Sequence, residues 1–189
     1  MIIENLSITE QEKDILKSLI GKKIKRISMT NPDEFDLVAV EPVQIDFGDK
    51  CYEVTRNEVV INYFSIKEDA GYPMIRESIF QKSDFVKNIN RAILDVLIVN
   101  DTFEFTDYKI TYPKAFIFQF EDCNLITEKN WLISIVEISA RLEPHEAENF
   151  GLTDEMQFWY DPEVSEKKPL ATQEVKSLKL NKIISSVQI

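Results

Sequence analysis

The sequence predicts an α+β fold dominated by antiparallel β-sheet, with a few helices. Several stretches alternate apolar and polar residues with a period of two, as in Val43, Ile45 and Phe47 against Gln44 and Asp46. Fewer stretches carry the i, i+3, i+4 spacing of a helix. Two segments, "IDFGDKCYEVT" at 45–55 and "FQFEDCNLIT" at 118–127, also repeat one hairpin-like theme: aromatic, acidic turn, Cys, branched apolar residue, Thr.

The first element is a helix. Thr9 and Glu12 have the spacing of a capping box, in which each side chain satisfies the other residue's backbone N–H. Ile15, Leu16, Leu19 and Ile20 form its apolar face, and Gly21 is placed to end it. "KKIKRISMT" (22–30) follows as a strand. Its Lys22, Lys23, Lys25 and Arg26 read as a solvated face. Residues 43–47 form a strand leading into a turn at Gly48, and residues 51–66 return from it. "KEDAGYPMIRES" (67–78) reads as a loop.

The second half repeats the pattern. Ser83 is placed to cap a helix with Phe85, Val86, Ile89 and Ile93 on its apolar face. "LDVLIVN" (94–100) is a strand, and 103–113 reads as a linker. "KAFIFQF" (114–120) is apolar on most of both faces and is expected to be a central strand. Laying 51–66 over 123–138 aligns Cys51 with Cys123, Thr55 with Thr127, Ile61 with Ile133 and Ile66 with Ile138. The expectation is an internal duplication of a helix-plus-four-strand unit: a first half at 1–80, a similar half at 81–142, and a C-terminal segment at 143–189 packed on the sheet, all within one compact domain. "ATQEVKSLKL" (171–180) reads as helical. "LNKIISSVQI" (180–189) echoes "INRAILDVLI" (89–98) and is expected to close a sheet as a strand.

Composition limits function. The net charge is −11, which repels a phosphate backbone, so no nucleic-acid partner is expected. No apolar run is long enough to span a bilayer, and the N-terminus lacks a signal-peptide pattern, so the expectation is a cytoplasmic chain with no membrane partner. Cys51 and Cys123 lack metal-ligand spacing and read as small buried hydrophobes. The only histidine is His145, in "RLEPHEAENFG". Residue 149 is Asn, where a zinc-protease helix needs a second His. Gly21, Gly48, Gly71 and Gly151 are isolated, so no phosphate-cradling loop is encoded. No cofactor and no metal are expected, and no catalytic residue stands out.

Two segments look like interaction surface. One is 67–78, with Tyr72 beside Glu68 and Asp69. The other is "EMQFWYDPE" (155–163), with Trp159 and Tyr160 between Asp154, Glu155 and Asp161. Aromatic anchors with a charged rim are what binding hot spots use. The competing reading packs these aromatics onto the sheet. A helix, then "LIGKKIKRI", then an acid-tipped hairpin resembles in general layout some small bacterial toxin-neutralising immunity proteins, and no residue role is carried over from that resemblance.

The leading expectation is a non-enzymatic, acidic protein-binding protein, of immunity or inhibitor type, that neutralises a basic protein partner. One alternative is a structural or assembly subunit, a homodimer joined through sheet edges. Another is a hydrolase-type enzyme using Asp46, Asp49, Glu121 and Asp122 at the repeated turns.

Overall fold

The structure, a computed structural model, describes residues 1–30, 40–63, 66–82, 85–129, 138–145, 152, 156, 159 and 168–189. It is built mainly from antiparallel sheet. One helix is described in full, and Leu152, Met156 and Trp159 also occupy helical positions.

That helix, α1 (Glu10–Leu19), starts as its sequence requires. Thr9 Oγ1 accepts from the Glu12 backbone N–H, and Glu12 Oε2 accepts from the Thr9 N–H at 2.7 Å. Gly21 leaves the helix at φ +84, a conformation that costs a residue with a Cβ. Leu16 and Leu19 are fully buried.

The strands form two sheets. β2 (Lys23–Thr30), β3 (Val40–Asp46), β4 (Cys51–Tyr63), β5 (Ile66–Ser78) and β6 (Phe85–Ala92) make the first, in order β5-β4-β3-β2-β6. The second runs β10-β9-β8-β7-β11-β12, from β7 (Asp95–Glu104), β8 (Tyr108–Gln119), β9 (Asn124–Lys129), β10 (Ile138–Glu143), β11 (Leu170–Ser177) and β12 (Lys182–Gln188). β1 (Ile2–Asn5) joins it by pairing in parallel with the start of β8. The sheets share a core in which Ile24, Ile27, Val43, Ile45, Val54 and Ile75 of the first cluster with Val96, Ile98, Phe116, Phe118, Leu125 and Ile138 of the second. Leu16 and Leu19 of α1 belong to the same cluster.

β8 is the central strand that its composition predicts. Phe116 and Phe118 face the shared core, while Ala115 and Ile117 pack with Leu97, Val99 and Ile126 in a separate buried cluster. A third cluster gathers Phe103, Tyr108, Tyr112, Tyr72, Ile61 and Trp159.

Four expectations are corrected. Residues 85–92 are the strand β6, not a helix. Phe85, Ile89 and Ile93 recur every four residues, which satisfies a strand's alternation as well as a helical face, and β6 pairs along β2. Its Asn90 takes φ +54. Residues 171–177 lie in strand β11, again not a helix. Two of its inward positions are the polar Gln173 and Ser177, bonded to the buried Asp101 and Asp95, so the alternation is invisible to hydropathy. The expected linker at 103–113 is mostly strand: Phe105 and Tyr108 close a tight β7–β8 hairpin, and the ladder skips Lys114, between Pro113 and Ala115. The expected loop at 67–78 is β5, paired with β4 along its whole length.

The repeated hairpins do share a turn. Phe47 N–H donates to the Lys50 carbonyl and Phe120 N–H to the Cys123 carbonyl, each at 2.9 Å. The helix that leads the first copy has no counterpart before the second, where β6 stands instead.

Candidate functional site

The β4–β5 hairpin projects as a long arm, and its far end meets the β7–β8 turn. The Tyr63 and Tyr108 rings lie 6.1 Å apart, edge to face. Trp159 packs against both, stacks on Phe103 at 5.7 Å, and is fully buried. The N-terminal strand bolts the same two ends together. Ile2 N–H donates to the Asp107 carbonyl at 2.7 Å, and Glu4 Oε1 accepts from Asn62 N at 3.2 Å and Nδ2 at 3.1 Å. A rigid aromatic brace therefore underlies this pole of the molecule.

The outer surface of the pole is acidic and apolar at once. Val60 is 63% exposed and Ile66 54%, and Ile2 and Ile3 of β1 are also exposed. Alternation along the arm produces this: Ile61, Ala70 and Tyr72 pack into the aromatic cluster, so Val60 and Asp69, which face one another across the ladder, take the other side. Glu58 pairs with Arg56, and Glu104 with Lys109 at 2.6 Å. Glu68, Asp69 and Asp107 form no ion pair among the described residues.

The predicted site residues divide accordingly. Asp69 is exposed on the arm beside Val60, whereas Glu68 is half-buried opposite the buried Ile61. Tyr72 is buried: its hydroxyl accepts from Asn57 Nδ2 at 2.5 Å, and burial raises its pKa. Trp159 is core rather than an exposed anchor, because its ring is enclosed on several sides by other aromatic rings. Tyr160, Asp161, Asp154 and Glu155 lie outside the described residues. Val60, Ile66 and Ile2, all exposed near the same end of the molecule, and Asp107 in the adjoining turn were missed. Strand alternation across "VVINY" would have exposed Val60 had 67–78 been read as the partner strand.

Two of the four turn carboxylates, Asp46 and Asp122, are each held by an arginine. Asp46 Oδ1 accepts from Gly48 N–H and Oδ2 from Arg26 Nε, both at 2.7 Å. Asp122 accepts from Arg91 Nε and Nη2 at 2.9 and 2.8 Å, and that bond holds its pKa below the usual carboxylate range. A general acid needs a shift in the opposite direction. His145 spans the second turn, with Nδ1 3.1 Å from Asn124 Oδ1 and Nε2 3.1 Å from the Glu121 carbonyl. Among the described residues, no group of three or more His, Cys, Asp or Glu side chains is placed to hold a metal ion.

Burial pushes the Cys51 thiol up to about 11, with Asp46 and Glu53 adding to the effect. Burial also raises the Cys123 thiol. Neither is an activated nucleophile, since activation requires a lowered pKa. No described helix is long and apolar enough to cross a membrane. Compared with known proteins, the chain matches no family model, no curated protein and no solved structure.

Proposed function

We propose that the protein is a non-enzymatic binding protein that docks a basic protein partner through the acidic pole, in the manner of an immunity protein or inhibitor. One observation carries this reading: the exposed Asp69, which forms no ion pair among the described residues, stands directly across the ladder from the exposed Val60, and Glu68 and the exposed Ile66 lie close by on the other face of an arm braced by buried aromatics. Exposed apolar side chains supply contact area. Carboxylates without an internal counter-ion supply steering and selectivity for a cationic surface. A pre-ordered arm lowers the entropy lost on docking.

The test is affinity capture from the protein's own cell lysate, at low and high salt. It uses wild type, the double variant Glu68→Lys/Asp69→Lys, and Asp49→Lys as a control on the exposed first turn. The expected result is a stoichiometric basic partner, weakened by salt, lost with the double variant and kept with the control. Equal capture by all three proteins would sink the assignment of the pole. An inhibitor role further requires that the captured partner harm cells when expressed alone and spare them when this chain is co-expressed.

A further inference from the structure

A cavity of about 440 Å³ opens on the second sheet, a volume in the range of small-molecule sites. Three neighbouring strands line it. Asn100 comes from β7, Glu174 and Lys176 from β11, and Lys182 and Ile183 from β12, with Asn181 in the turn between the last two. The ladder brings them together. Lys176 stands opposite Ile98 on one side and Ile183 on the other, and Glu174 stands opposite Asn100. Residues two apart on a strand share a face, so Asn100, Glu174, Lys176 and Ile183 lie on the face whose Ile98 belongs to the shared core. That face leaves the core towards β12: Ile98 is buried, Lys176 half-buried and Ile183 exposed.

Two features shape the rim. The ladder between β11 and β12 skips Ile184, and a bulge of this kind bends its strand and sharpens the local twist. The turn before it is held from within. The buried Asp95 accepts from the Lys179 N–H at 3.0 Å and from the Ser177 hydroxyl, and Ser177 Oγ accepts in turn from the Leu180 N–H at 3.0 Å. Asn181 completes the turn at φ +51. The backbone that carries Asn181 and Lys182 is therefore set before a ligand arrives, which lowers the entropy lost on binding.

Charge indicates the ligand. The chain has 33 acidic residues against 22 Lys and Arg, yet neither Lys176 nor Lys182 forms an ion pair among the described residues. Nor does Glu174, and the side-chain amides of Asn100 and Asn181 make no hydrogen bond among the described residues. Glu10 of α1 acts on Lys176 only at longer range, since its ion pair is with Lys13. Two ammonium groups, one carboxylate and two amides thus face the same space with their bonding capacity unused. Their complement is a molecule with two anionic groups and one cationic group. A polyphosphate would be repelled by Glu174, and an apolar molecule would find only Ile183.

We propose that this cavity binds a small acidic α-amino acid. The two carboxylates of the ligand pair with Lys176 and Lys182 and its ammonium group with Glu174, while Asn100 and Asn181 bond the remaining lone pairs and N–H groups. No residue of the acidic pole takes part.

Amide chemical shifts of the intact chain, followed during titration, test this. The probes are L-glutamate and L-aspartate, the same molecules without the ammonium group (glutarate and succinate), and inorganic phosphate. At least one amino acid is expected to shift the amides at 174–176 and 181–183 saturably, and to bind at least about threefold tighter than its deamino counterpart. Lys176→Gln/Lys182→Gln should weaken that binding at least about tenfold. Glu174→Gln should remove the preference for the amino acid over its counterpart. None of the three positions is buried, so the variants are expected to keep the wild-type spectrum elsewhere. The absence of saturable shifts with both amino acids would overturn the proposal. So would amino-acid binding that survives the lysine double variant, a preference that survives Glu174→Gln, or phosphate that binds as tightly as either amino acid.

Discussion

Tyr63 donates its phenolic hydrogen to the Trp159 backbone carbonyl at 3.1 Å, and the two rings meet at 5.2 Å with their planes inclined by 63°. One residue lies on the arm and the other in the C-terminal third of the chain. The contact thus ties a segment distant in sequence to the base of the acidic pole. Trp159→Ala should cost about 3–5 kcal/mol, because it empties the centre of the aromatic cluster. Thermal unfolding measures this. At temperatures where the variant remains folded, partner capture should persist, since the ring is not on the surface. Loss of capture without loss of stability would return Trp159 to the role of an exposed anchor.

Gly71 lies where the arm is crossed by other side chains. A Cβ built there comes within 2.5 Å of Arg56 Cγ and Cδ and 3.1 Å of Lys129 Cε. Lys129 is almost fully buried and has little room to yield. Gly71→Ala is therefore expected to destabilise by about 1–3 kcal/mol through overpacking, as read by urea denaturation. An unchanged midpoint would mean that Arg56 moves aside freely.

Thr9→Ala should cost about 1 kcal/mol, because the Glu12 N–H loses its capping acceptor. The effect should reach beyond the helix. Glu12 Oε1 also accepts from the Ile75 N–H at 3.4 Å, so its carboxylate links α1 to β5. Amide exchange at Ile75 should quicken in Thr9→Ala; if it does not, the cap and the strand are independent.

The thiols give a pH prediction. Cys51 keeps its proton to about 11 in the folded protein, against 9.0 for an unperturbed thiol. Between those values the unfolded chain has released a proton that the folded chain retains. Stability therefore falls as pH rises from 9.0 toward 11, and it is unaffected by this group below that window. Alkylation should label Cys123 before Cys51 at pH 8, since Cys123 is the less buried of the two. Equal labelling would show that the Cys51 strand opens readily.

How far the fold could be read from sequence depended on what each element places inside. α1, β2, β3 and the second half of β8 were legible because Leu16, Ile45 and Phe116 put apolar residues at spacings that only one period explains. β11 was not, since its interior positions are Gln173 and Ser177, which are held by Asp101 and Asp95. A buried polar pair is satisfied by its partner, and that partner is 72 residues away for Gln173. The acidic pole was half legible. Glu68 and Asp69 stood out by charge, but Val60 and Ile2 join them only through the pairing of β4 with β5 and of β1 with β8.

That last pairing has a consequence for the chain during synthesis. Every strand of the first sheet lies between Lys23 and Ala92, so that sheet can be completed while the rest of the protein is still unmade. β1 precedes the other described strands, yet its register partners are Tyr108 to Thr111. It must wait, with Ile2 and Ile3 uncovered, for more than half of the chain to follow. Contacts so distant in sequence form late and slowly. An arrested nascent chain ending before Tyr108 should therefore leave its first residues open to protease, and one extending past β9 should protect them.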